Sequence, residues 1–211
     1  MGVERALAEL ADGRCVLVVD DEDQANGGDL LAAASLVTAG VMAFLVRHTS
    51  GLIGVALPAG ECDRLMLPPM VFRNEHPRRT SYAVTVDAAE GISTGISAAD
   101  RARTARVLAA ASTEPDELCR PGHVLPIRAR SGGVLERRGH TEAAVDLTRL
   151  AGLAPAGVIG QLVSPVRTAA MADRNDLRIF AGVHDIAMVT IGEVAEFLGC
   201  ANNPLPAVAR A

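Results

Sequence analysis

Residues 15–34 read CVLVVDDEDQANGGDLLAAA, and this stretch decides the class of fold. Cys15-Val16-Leu17-Val18-Val19 is apolar throughout and rich in β-branched side chains. So short a run, with no polar side to turn to water, reads as a strand buried on both faces and ending at Asp20. Leu30 to Ala34 resumes as a second strand. Between them lie five carboxylates in ten residues, Asp20, Asp21, Glu22, Asp23 and Asp29.

Working outward, helical and strand patterns alternate. Thr38 caps a helix whose Val41, Phe44, Leu45 and His48 share a face. Strands are expected at Leu52–Leu57, Tyr82–Val86, Val124–Ala129, Val158–Val163 and Ala187–Thr190. Ser97 with Asp100 three residues on forms a capping arrangement ahead of a helix from Arg101 to Ala110. Thr141–Ala151 reads as a helix stopped by Gly152. Asp176–Ala181 and Ile191–Leu198 complete the series. The polar stretch Arg73 to Thr80 is the expected mobile loop, and the tail from about 201 to 211 is expected to fray. The economical architecture is one domain over 1–211, α/β (α+β) in class, a compact layered α-β sandwich.

Composition narrows the function. In 211 residues, 49% are hydrophobic and 21% charged, enough to bury a core. No run approaches the ~18 apolar residues of a membrane span, and the start, MGVERALAEL, lacks the basic-then-apolar order of a leader, so a cytoplasmic protein with no membrane partner is expected. The net charge of −5 argues against a nucleic-acid partner. All twenty basic residues are arginines, which excludes Schiff-base chemistry on lysine and a P-loop lysine. Cys15, Cys62, Cys119 and Cys200 form no C-x-x-C pair and are expected to be free, mostly buried thiols.

Four clusters could carry chemistry. The acidic run 20–29 is either a divalent-metal site of oxygen ligands or a solvated turn. Arg47-His48-Thr49-Ser50-Gly51 suits an anion such as phosphate, or is a helix end with a favourable basic terminus. Thr94-Gly95-Ile96-Ser97 offers helix-start N–H groups to an anion, or is a plain cap. Arg120-Pro121-Gly122-His123 and Arg137-Arg138-Gly139-His140-Thr141-Glu142 place two histidines after glycines in polar surroundings, the setting of acid/base groups. Arg137 offers a fork for phosphate. His48, His76 and His184 read as structural or surface residues. Together the clusters propose a small phosphorylated substrate handled by proton transfers.

Five ordered stretches carry a resemblance: DDEDQANGGDL (20–30), RHTSGLIGVAL (47–57), GISTGISAADRARTAR (91–106), RPGHVLPIRA (120–129) and GHTEAAVDLTRLAGLAPAGV (139–158). They resemble the 3,4-dihydroxy-2-butanone 4-phosphate synthase family of riboflavin biosynthesis, carbon–carbon lyases. The resemblance implies a compact α/β fold and a homodimer with active sites near the interface. It implies conversion of ribulose 5-phosphate to 3,4-dihydroxy-2-butanone 4-phosphate and formate, with magnesium as Lewis acid, and it implies no fused GTP cyclohydrolase II domain. It assigns Asp29 to the substrate hydroxyls, Arg137, Gly139 and Thr141 to the phosphate segment, His140 to metal ligation and His123 to catalysis. With Thr94, Ser97, Gln24 and Gln161 these are the expected substrate-binding and catalytic residues.

Several positions depart from the family pattern. Gln24 stands for a substrate-binding Arg, Ala25 for the Glu that partners His140 on the metal, and Gly27 for a second Glu. Gly54 stands for a frequent cysteine and Gln161 for a glutamate needed in turnover. The loop Ser164-Pro165-Val166-Arg167 differs as well. Since these changes remove carboxylates, the sequence points first to an altered enzyme on the same scaffold. This would be an acid/base lyase, isomerase or dehydratase using His123, His140 and Asp29 on a phosphorylated or anionic metabolite, in a specialised pathway such as secondary metabolism, with no cofactor. Two alternatives stand beside it. One is a genuine synthase that keeps Mg²⁺, with Asp21, Glu22 or Asp23 replacing the lost ligand. The other is a non-catalytic binding or scaffolding protein.

Overall fold

The computed structural model describes residues 2–21, 27–75, 77, 79–167 and 169–200. Eight strands form one mixed sheet. They are β1 (Val16–Val19), β2 (Gly28–Ala33), β3 (Gly54–Leu57), β4 (Ser81–Tyr82), β5 (Val86–Ala88), β6 (Leu118–Arg128), β7 (Gly157–Gln161) and β8 (Met188–Thr190). The order is β4-β6-β3-β7-β2-β1-β8, with β5 pairing β6. β1 and β2 are antiparallel, joined by the acidic stretch, while β1–β8 and β3–β6 are parallel.

Among the described residues the α-helices are α1 (Gly2–Ala11), α2 (Ala39–His48), α3 (Ala59–Arg64), α4 (Ala98–Ala109), α5 (Gly133–Glu136), α6 (His140–Leu150), α7 (Arg174–His184) and α8 (Ile191–Cys200). The two-residue period of β1 sorts the core. Leu17 and Val19 face a cluster that includes Met42, Leu45, Ala102, Ala105, Leu177 and Phe180, from α2, α4 and α7. Val16 and Val18 face Ala6, Leu10, Ala143, Leu147 and Val194, from α1, α6 and α8. The architecture is thus a layered α-β sandwich, and the wholly apolar β1 is explained by burial on both sides.

Thr38 and Ser97 cap α2 and α4 as their sequence contexts demand, accepting from Val41 N at 3.2 Å and Asp100 N at 3.0 Å. Other expectations are corrected. The Tyr82–Val86 strand is two, because the chain leaves β4 at Tyr82 and rejoins β6 only at Val86, with a register shift after it. β6 starts at Leu118, six residues before the apolar run, because β5 pairs with it. α7 starts earlier than Asp176, since Asp173 caps it and Asp176 returns the bond. α1, α3 and α5 were not anticipated. Of the four thiols, only Cys15 and Cys62 are buried. The tail 201–211, His76 and Arg78 lie outside the described residues, and among those described no helix is long and apolar enough to cross a membrane.

Candidate active site

A cavity of about 580 Å³ opens on the α6 side of the sheet. Its floor is set by register. Asp29 on β2 is paired directly with Gln161 on β7, so the two side chains emerge together at the end of adjacent strands. Gly54, Leu125, Ile127 and Ile159 continue the floor, and Ser50, Leu52 and Tyr82 line a side wall. Gly54 is matched to Ile127: a Cβ there would come within 2.6 Å of Ile127 Cδ1. The space of the side chain absent at 54 is filled by its neighbour.

The wall opposite is the N-terminus of α6, with Arg137, Arg138, Gly139, His140 and Thr141. No side chain caps this helix at Gly139. Its first N–H groups and the helix dipole therefore favour an anion, and Arg137 adds a guanidinium beside them. Arg137 is held from behind by Glu142, Nη1 to Oε2 at 2.6 Å, and Glu142 is 1% exposed. Its other oxygen accepts from Arg130 N at 2.9 Å. Gly139 leaves room for this pair, since a Cβ there would lie 2.5 Å from Arg137 Nη1 and 2.6 Å from Glu142 Oε2.

Asp20, at the end of β1, is a site residue that sequence reasoning placed only in a general acidic cluster. It is 4% exposed, and its Oδ1 lies 3.1 Å from His140 Nε2. Its other oxygen accepts from Gly27 N at 3.1 Å. Gly27 faces Asp20 and Gln161, within 3.3 Å and 3.2 Å of where its Cβ would be. Asp21, offered above as a replacement ligand, is taken up elsewhere: it accepts from Gly192 N at the start of α8 at 2.7 Å and from Arg138 at 3.3 Å. Glu22, Asp23, Gln24 and Ala25 lie outside the described residues.

Magnesium demands octahedral geometry at about 2.1 Å, so adjacent ligands stand about 3 Å apart, and it uses one or two protein ligands plus water and substrate oxygens. The Asp20–His140 separation of 3.1 Å fits one such edge. Among the described residues no group of three His, Cys, Asp or Glu stands close enough to form a full cage. Two such donors would leave the remaining positions of a magnesium ion to water and substrate oxygens.

His123 is not among the residues lining this cavity. It sits on β6 beside β5, where Asp87 grips it twice. The His123 backbone N–H donates to Asp87 Oδ1 at 2.9 Å, and ring Nδ1 lies 2.6 Å from Oδ2. Asp87 is 7% exposed and the histidine side chain 41%. A donor bond from Nδ1–H to the buried carboxylate would leave Nε2 as the acceptor nitrogen of the neutral ring. Gly95 packs on both residues, since a Cβ there would collide with Asp87 and His123 Nδ1. Thr94 and Ser97 lie in the same loop, exposed and away from the cavity lining, with Ser97 acting as a cap. One chain thus carries two groups of candidate site residues. Asp20, Asp29, Arg137, Gly139, His140, Thr141 and Gln161 share the cavity, while His123, Thr94 and Ser97 stand apart with Asp87.

An uncapped helix start with an arginine beside it, facing Asp20, Asp29 and His140 across one cavity on a mixed sheet layered with helices, is an arrangement suited to a small anionic ligand. Residues 4–197 match the 3,4-dihydroxy-2-butanone 4-phosphate synthase family, and the chain belongs to it. The riboflavin biosynthesis protein RibBA of Nocardia farcinica is 55% identical over 192 residues, 91% of this chain and 46% of that protein. The chain spans about half the length of the curated relatives it matches. A crystal structure of 3,4-dihydroxy-2-butanone 4-phosphate synthase in complex with two magnesium ions superimposes with a TM-score of 0.92 at 40% identity, covering 97% of this chain and 100% of that one. The Candida albicans synthase gives 0.87 at 44% identity, covering 94% and 97%.

These likenesses overturn the first reading of the sequence, an altered acid/base enzyme of a specialised pathway. Relatives more than half identical over nine-tenths of the chain carry the riboflavin biosynthesis name, which favours the synthase alternative. The structural reason lies in Asp20 and Asp29. The family-pattern departures remove carboxylates at 25, 27 and 161, yet Asp20 and Asp29 both line the pocket with His140.

Proposed function

We propose that the chain is a working 3,4-dihydroxy-2-butanone 4-phosphate synthase, converting ribulose 5-phosphate to the butanone phosphate and formate in riboflavin biosynthesis. The observation that carries this reading is the meeting, in one cavity, of a phosphate-binding helix start with Asp20, Asp29 and His140. Arg137, the Gly139–Thr141 backbone and the Thr141 hydroxyl take the phosphate. That anchor lays the sugar across the floor, where Asp29 and Gln161 hydrogen-bond its hydroxyls. Asp20 and His140 would hold magnesium, which supplies Lewis-acid stabilisation of enediolate charge when bound. Leu125, Ile127 and Ile159 keep the floor apolar, which strengthens each charged contact.

Proton transfer falls to His123, oriented by Asp87. Because His123 stands off the cavity of its own chain, we assign it to the site of a second copy, in the homodimer that the family resemblance implies. Its Nε2 takes and returns protons at the sugar carbons during enolisation and dehydration, while Asp87 stabilises the imidazolium. Each active site then combines the cavity of one protomer with the His123–Asp87 pair of its partner.

The test is a proton NMR time course of the protein with ribulose 5-phosphate and Mg²⁺. Formate is expected, lost on adding EDTA and restored by excess Mg²⁺. An unchanged sugar phosphate in the presence of Mg²⁺ would exclude the synthase reading.

A further inference from the structure

Arg101 is the fourth residue of α4 and is 7% exposed. Among the described residues its guanidinium makes one hydrogen bond, Nη1 donating to the Gly51 carbonyl at 3.2 Å, and Nε is buried with no partner. Among the described residues no carboxylate pairs with it. Burial alone acts on its proton affinity, lowering its pKa, with no neighbouring acid to raise it. A buried cation without an anion is a standing cost to folding that an apolar side chain of similar volume would remove. Stability therefore does not account for an arginine at this position.

The role of Arg101 is indicated by what it holds. Gly51 has φ +77, a backbone turn that suits glycine. It sits between Ser50 and Leu52, both in the cavity wall. On one side this loop is tied to β7, Ser50 N donating to the Gln161 carbonyl at 2.9 Å. On the other side Arg101 is the tie to α4. The first turn of α4 also carries Asp100, which accepts from Ser93 and Gly95 N and so fixes the loop packed on His123 and Asp87. The same helical turn therefore anchors both groups of site residues. The Arg47–Gly51 motif gains a role as well: its last three residues are the segment being held.

We propose that Arg101 is a positioning residue: through the Gly51 carbonyl it keeps Ser50 and Leu52 in the cavity wall and locks that wall to the helix that supports the His123–Asp87 pair. It touches no reacting atom. The kinetic part of this inference rests on the synthase reading; the structural part does not.

The test compares Arg101→Met and Arg101→Lys with the unaltered protein by hydrogen exchange, thermal unfolding and formate kinetics. For Arg101→Met, amide exchange over residues 50–53 is expected to rise at least about tenfold while Tm holds or increases. KM for ribulose 5-phosphate is expected to rise about tenfold, with kcat changed less than about threefold. Lysine keeps one donor and should recover most of both. Unchanged exchange over 50–53 in the Met variant would overturn the proposal. So would a fall in Tm with exchange raised throughout, since that describes a structural pillar. If the unaltered protein releases no formate, the synthase reading fails, and the exchange comparison still judges Arg101.

Discussion

Asp87 orients the His123 imidazole, and Glu142 orients the Arg137 guanidinium. Both carboxylates are buried, and both act through a neighbour. Glu142→Gln keeps the shape but lowers the charge behind the guanidinium, so substrate binding should suffer more than turnover. The expected outcome is a KM for ribulose 5-phosphate raised about tenfold, with kcat within about threefold, in steady-state assays; an unchanged KM would show that Arg137 holds its place without the pair. Asp20→Asn removes the charged oxygen beside His140. It should raise the Mg²⁺ concentration for half-maximal formate release by about tenfold or more, in a titration against the unaltered protein; an unshifted curve would remove Asp20 from the metal site. At this scale the sequence singled out His123, His140 and Arg137 by their polar contexts, and Asp29 through the family resemblance. It could not show the pairs. Asp20 and His140 are 120 positions apart and Asp87 and His123 are 36 apart. Such contacts are created by strand order, which leaves no periodic trace.

Elements with local signals were legible. The caps Thr38 and Ser97, the apolar β1 and the stop at Gly152, with φ +75, all stand where their chemistry puts them. Elements whose reasons are tertiary were not. The first half of β6 contains Arg120, Pro121 and Gly122 and is a strand only because β5 pairs with it. The start of α1 was read for a leader, although Val3, Ala6 and Leu10 already marked a buried helical stripe. The contact of α2 with α7 is another such case. Phe44, His48, Phe180 and His184 form a ring cluster, with the two imidazole centroids 5.2 Å apart. Burial, and then the charges of His184 and Arg47, hold the His48 pKa below its ordinary 6.5. The folded protein thus binds this proton more weakly than the unfolded chain. The contribution is intact above the unfolded value and is lost as pH falls through the folded one. Urea unfolding at pH 8 and pH 5 should show a larger loss for the unaltered protein than for His48→Phe; equal losses would mean that this contact does not titrate.

For the whole molecule, the sheet joins what the sequence separates, and its two covered faces isolate the structural thiols. Burial, with Glu9 adding negative charge, pushes Cys15 to about 12, and burial pushes Cys62 to about 11. Neither is a thiolate at neutral pH. A native titration with a disulfide reagent should modify Cys119 and Cys200 at most, and denaturant should release the other two; fast native reaction of Cys15 or Cys62 would show that the core opens readily.

The division of the site between two groups of residues also belongs to this scale. Carried alone, the cavity variant Arg137→Ala and the base variant His123→Ala should each release almost no formate. Unfolded and refolded together in equal amounts, they should form mixed dimers in which one of the two sites has both an intact cavity and an intact base. Formate release should then recover to about a quarter of the unaltered rate, the share set by random pairing in a twofold dimer. No recovery on mixing, with both variants folded and dimeric, would contradict a site shared between copies.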